Sequence, residues 1–101
     1  MVFDLGRAMR KKEEFESARL VDFEFRRRVR AMRLLARDLG CDEDRAAGLA
    51  AEMNDAGAVG QLADMVGLPV DEVEARYQAC VTTAHKQLVA ERGDPTPFRL
   101  L

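Results

Sequence analysis

Apolar positions recur in threes and fours over the first part of the chain: Phe15, Ala18, Val21, Phe25, Val29, Met32, Ala36 and Leu39. That spacing puts one apolar face on a long helix. Gly40 supplies the stop, because glycine reaches the left-handed C-terminal cap without strain. Ahead of Phe15 the pattern fails. Gly6 interrupts it, and "GRAMRKKEEF" has almost no apolar face. Residues 1–14 are therefore expected to form a flexible segment in the free protein.

Three more helical patterns follow. "DEDRAAGLAAEMND" buries Ala46, Leu49, Ala50 and Met53, with Asp42 or Asp44 as N-cap and Gly57 at its end. "AVGQLADMVG" buries Val59, Leu62, Ala63 and Val66. Gly67 ends it, and Leu68 is placed for the apolar contact that accompanies such a cap. The last helix opens at "PVDEVEARY", where Asp71 and Glu74 have capping-box spacing and Val70 is set to staple onto Ala75. Val73, Tyr77, Cys80, Val81, Ala84 and Leu88 make its buried face, and Gly93 closes it. Pro95 and Pro97 exclude helix from a tail at 94–101. The expected fold is all-α: a four-helix protein with a long N-terminal helix packed on three shorter helices, within a helical domain at 15–93.

Composition supports helices. The chain of 101 residues is one domain in length. Aromatics are 6% of it and Trp is absent, which disfavours a β-sandwich. The formal charge of −2 conceals a polarity. Residues 1–40 hold 11 Lys+Arg against 7 Asp+Glu, a net of +4, and residues 41–101 hold 5 against 11, a net of −6. The two halves can attract each other within the fold, or orient the protein on a partner.

Several function classes are disfavoured. The N-terminus lacks the apolar run of a secretory signal, and no stretch approaches the roughly 18–20 apolar residues of a membrane span. A soluble, cytoplasmic protein without membrane insertion is expected, with Cys41 and Cys80 reduced. Two cysteines and the single His85 are too few for a four-ligand structural zinc site. There is no glycine-rich phosphate loop, no His-x-x-x-His pair and no spacing that suggests a Ser-His-Asp set. Cys80 and His85 lie five apart, which does not bring them side by side on a helix. No catalytic, cofactor-binding or metal-binding residue is assigned, and a non-enzyme is expected.

"FEFRRRVRAMRLLARDLG" raises the nucleic-acid question, with six arginines in eighteen residues. Acids are interleaved with them, at helical spacing for Asp22–Arg26 and Glu24–Arg28. The remaining positive charge can be met by the acidic second half. "VGQLADMVGLPVDEVEARYQAC" has the cadence of a helix-turn-helix and resembles that of sigma factors. Its reading helix would open with Asp71, Glu72 and Glu74, which repel a polyanion. An antiparallel helix hairpin fits better, and nucleic acid is disfavoured as a partner. A protein-binding first helix remains. Its apolar stripe is about seven turns long, more than three short helices can cover, so its N-terminal part is free to bury on a partner.

Phe3-Asp4, "RAMRLLA", "GCDEDRAAGLAAEM" and "DMVGLPVDEVEARY" together resemble the zeta inhibitor of the F1-ATPase of alphaproteobacteria. The order of elements is similar over nearly the whole chain. The chain departs from the family at "FESARLVDF" and at "NDAGAVG", which stands in place of the family's Glu-Pro-Gly-Asp linker. The resemblance implies a regulatory protein that inserts its N-terminal segment at a catalytic interface, against the alpha, beta and gamma subunits of F1, and blocks ATP hydrolysis. It implies burial of Phe3, Met9 and Phe15 there. Arg7, Arg10, Lys11, Lys12, Glu13 and Glu14 would make the charged contacts. The alternatives are a helical subunit of another complex and, less favoured, a helix-turn-helix protein. The sequence leaves the oligomeric state open.

Overall fold

The computed structural model describes residues 5–93, with side chains from Ala18 onward. Four helices follow one another: α1 (Leu5–Leu39), α2 (Glu43–Glu52), α3 (Asp55–Val66) and α4 (Val70–Arg92). The expected all-α architecture is present, with the long α1 packed on three shorter helices. The tail at 94–101 lies outside the described residues.

Local chemistry explains where the helices start and stop. Gly40 (φ 75°) ends α1, and the Cys41 N–H returns to the Ala36 carbonyl at 2.9 Å. Asp42 caps α2, accepting from the Asp44 and Arg45 N–H groups at 2.9 and 3.4 Å. Gly67 (φ 72°) ends α3 with its N–H on the Ala63 carbonyl, and Leu68 packs half-buried against the core.

Two expected boundaries differ. Gly57 does not terminate the second helix, which stops at Glu52. It belongs to the first turn of α3, where Asn54 is the N-cap and accepts the Gly57 N–H at 2.8 Å. An N-cap side chain three residues earlier outweighs glycine's tendency to stop a helix. The capping box at Asp71 and Glu74 is also absent. Pro69 is the N-cap of α4, and its carbonyl receives the N–H groups of Glu72 and Val73. Asp71 thereby falls in the first turn, where its charge suits the helix dipole. Val70 and Ala75, the two ends of the expected staple, are both exposed.

The core lies along one side of α1. Ala31, Met32, Leu35 and Ala36 meet Ala46 and Ala50 of α2, Ala58, Val59, Leu62 and Ala63 of α3, and Val73, Tyr77 and Ala84 of α4. Small residues on α2 and α3 let those helices approach closely, and Tyr77 is the largest fully buried side chain. The α1 stripe is rotated from expectation. Phe23 is 5% exposed, whereas Val21 is 64% and Phe25 42% exposed. The reason is length. The face carrying Met32 and Ala36 packs under α2, but α2 ends at the level of Arg28, so Phe25 and Val21 continue that face uncovered. The face carrying Phe23 packs against α4, which reaches further.

α4 runs antiparallel to α1. Asp38 faces Arg76 at one end, and Arg30 faces Glu91 at the other. At about 1.5 Å per residue α1 is about 52 Å long and α4 about 35 Å, so α1 overhangs the bundle at its N-terminal end. The molecule is correspondingly elongated, 65 × 26 × 22 Å.

Candidate partner-binding surface

Each of the six arginines between Phe23 and Gly40 meets a partner within the chain. Arg26 pairs with Asp22 at 2.9 Å, as its helical spacing predicts. Arg27 donates to His85 Nδ1 at 3.2 Å, which makes that nitrogen the acceptor. Arg30 grips Glu91 with both terminal nitrogens. Arg33 reaches Asp44 at 2.7 Å and Arg37 reaches Glu43 at 3.1 Å. Arg30, Arg33 and Arg37 thus meet carboxylates of the acidic second half.

Arg28 departs from expectation. Its guanidinium turns away from Glu24 and donates through Nη2 to the carbonyls of Ala50 and Met53, the latter at 2.9 Å. Its Nε lies 2.8 Å from Asp55 Oδ1, but the N–H is not aligned on the oxygen, so that contact is a charge attraction rather than a hydrogen bond. The unsatisfied carbonyls at the end of α2 and a carboxylate at the start of α3 offer more than an exposed glutamate one turn away. Asp55 also faces Tyr77. Burial, and secondarily the Asp55 charge, push the Tyr77 hydroxyl up to about 12.

The chemistry-bearing singletons fall apart spatially. Cys80 is half-buried beside Leu34, Asp38 and Arg76, and burial pushes its thiol up. His85 stacks edge-on against Phe23, with ring centroids 5.5 Å apart and a 76° interplanar angle. Cys41 and Cys80 are both free thiols. The described residues include no cluster of three His, Cys, Asp or Glu side chains able to hold a metal, and no helix long and apolar enough to cross a membrane. In the hairpin of α3 and α4, Asp71, Glu72 and Glu74 are exposed on the first turns of α4.

The expected partner-binding residues concentrate at the overhanging end. Phe3 lies outside the described residues. The backbone of Arg7, Met9, Arg10, Lys11, Lys12, Glu13, Glu14 and Phe15 belongs to α1, and their side chains lie outside the description. Where side chains are described, Ala18, Leu20 and Val21 are exposed, Leu20 to 38%.

One surface escaped the sequence reading. Phe25, Val29 and Leu88 floor an open groove of about 300 Å³ between α1 and α4, rimmed by Arg26, Arg30, Arg33 and Arg92. The signal was present in Phe25, an aromatic among arginines, but its exposure depends on where α2 ends. Comparison with family models, curated proteins and solved structures returns no match to this chain.

Proposed function

We propose that the chain is a non-catalytic regulatory protein that binds a protein partner through the overhanging N-terminal half of α1, in the manner of the zeta inhibitor of F1-ATPase. The supporting observation is the overhang itself. About 20 Å of α1 precedes Arg19 at about 1.5 Å per residue, and the first described side chains of that end include exposed Leu20 and Val21. A helix that continues beyond its own bundle with apolar side chains exposed suits a helix-in-groove partner. Asp71, Glu72 and Glu74, exposed on the first turns of α4, favour protein over nucleic acid, because they repel a polyanion where a reading helix would begin.

In this reading Phe3, Met9 and Phe15 bury in a catalytic interface of F1. Arg7, Arg10, Lys11, Lys12, Glu13 and Glu14 make the charged contacts, and the bundle acts as a stop on the outer surface. Residues 1–14 carry the inhibition. Deleting them is expected to abolish inhibition of ATP hydrolysis by purified F1 while leaving the bundle folded. Full inhibition by the deletion variant overturns the assignment. A helical subunit of another complex would leave hydrolysis unchanged with the intact chain too. A nucleic-acid binder would retard DNA or RNA in a steeply salt-dependent way.

A further inference from the structure

The large apolar side chains exposed among the described residues are Leu20, Val21, Phe25, Met65 and Val70. Three of them, Phe25 on one side and Met65 with Val70 on the other, lie in two patches of opposite electrostatic character. Phe25 floors the arginine-rimmed groove at the C-terminal end of α4. Arg30 is held there by Glu91, Arg26 and Arg33 each make one contact, to the exposed carboxylates of Asp22 and Asp44, and Arg92 has no ion pair among the described residues beyond the charge of its neighbour Glu91. Met65 and Val70 flank the turn between α3 and α4, at the other end of α4. Around them Asp64, Asp71 and Glu74 are exposed, and none has an ion-pair partner among the described residues.

The two patches lie about 30 Å apart along one helix, at about 1.5 Å per residue. They cannot meet within one molecule. Between two molecules they are complementary: an apolar knob ringed by carboxylates, and an apolar groove ringed by guanidiniums. We propose that the chain self-associates head to tail, the α3–α4 turn of one copy seating Met65 and Val70 over Phe25, Val29 and Leu88 of the next. Arg26, Arg33 and Arg92 meet Asp64, Asp71 and Glu74 across the contact. The patches are different surfaces, so the contact is heterologous and leaves one of each free for a further copy. Its small area makes it weak and transient, and its charged rim makes it salt-sensitive. It uses neither F1 nor residues 1–14, and stands apart from the function proposed above.

Sedimentation equilibrium of the full chain tests it, from micromolar to millimolar concentration. The apparent mass is expected to rise from 11.3 kDa to twice that and beyond at low salt, and to fall back when salt is raised. Two variants with exposed substitutions separate the surfaces, Phe25→Glu in the groove and Val70→Lys on the turn, each checked for unchanged helicity. Each alone is expected to stay monomeric. Their equimolar mixture is expected to stop at a dimer, because each supplies the surface the other lacks. A wild type that stays monomeric throughout, as when the groove serves a different protein, overturns the proposal. So does association of either variant alone, or a mixture that remains monomeric.

Discussion

Arg28 Nη2 of α1 donates to the carbonyl of Met53 at 2.9 Å, so a side chain of the first helix closes the open end of the second. The same guanidinium meets the Ala50 carbonyl and the Asp55 carboxylate. One planar group thereby ties α1 to α2 and to α3. Helix C-termini attract cations, and here the cation is delivered from outside the helix.

Replacing Arg28 by Met keeps much of the stem's packing and removes the charge. The lost charge-assisted hydrogen bonds predict a destabilisation of about 2–3 kcal/mol. Arg28→Lys should recover less than half, since a point charge cannot serve both carbonyls and Asp55 in a fork. Urea midpoints at constant m-value check both.

Phe23 and Phe25 test the rotation of α1. Phe23 fills the space against His85 and is nearly fully buried, so Phe23→Ala should cost about 3–4 kcal/mol. Phe25→Ala should cost less than about 1 kcal/mol, because Phe25 is 42% exposed. Equal effects, or the reverse order, would contradict the packing described.

Two glycines should respond oppositely to alanine. Gly67 has φ 72°, where a Cβ is strained, and Gly67→Ala should cost about 1–2 kcal/mol. Gly48 lies inside α2 with open space around a would-be Cβ, and Gly48→Ala should stabilise by about 0.5–1 kcal/mol. Thermal or urea unfolding of both variants reads the sign directly.

The Arg30–Glu91 contact sets an acid limit. Hydrogen bonding to Arg30 holds the Glu91 carboxyl below the usual carboxylate range. A depressed folded-state pKa contributes stability above the unfolded value, roughly 4.3 for glutamate, and loses it as pH falls through the folded value. Glu91→Gln should therefore be less stable than wild type at neutral pH. The gap should close as acid protonates the carboxylate, seen as converging urea midpoints.

Tyr77 sets an alkaline limit. Burial, and secondarily the Asp55 charge, push its hydroxyl up to about 12 in the folded chain, against about 10 when unfolded. The stability this shift represents is intact below about 10 and lost as pH rises toward 12. Tyr77→Phe should flatten that decline, followed by circular dichroism against pH.

Helix number and order were legible because each period is long and each is punctuated by Gly40, Gly67 or an N-cap such as Asp42. Gly57 misled because glycine signals a stop only when no capping side chain precedes it, and Asn54 does. The charge polarity indicated that the halves would meet, but the partner of Arg28 was not legible. Arg28 and Glu24 have suitable spacing, while the competing carbonyls exist only once α2 has formed. The exposure of Phe25 was hidden for a related reason. It is set by the length of a different helix, and a stripe read along one helix carries no information about how far its neighbours extend.

The antiparallel seating of α4 on α1 also bears on how the chain is made. Arg30 meets Glu91 sixty-one positions later, and Arg27 meets His85 fifty-eight later, whereas Arg33 meets Asp44 only eleven later. During synthesis the first two helices can pair while the rest is still being added. The final clasp waits until almost the last turn of α4 has left the ribosome, so a nascent chain halted before Glu91 would carry its foremost helix half-unsheathed.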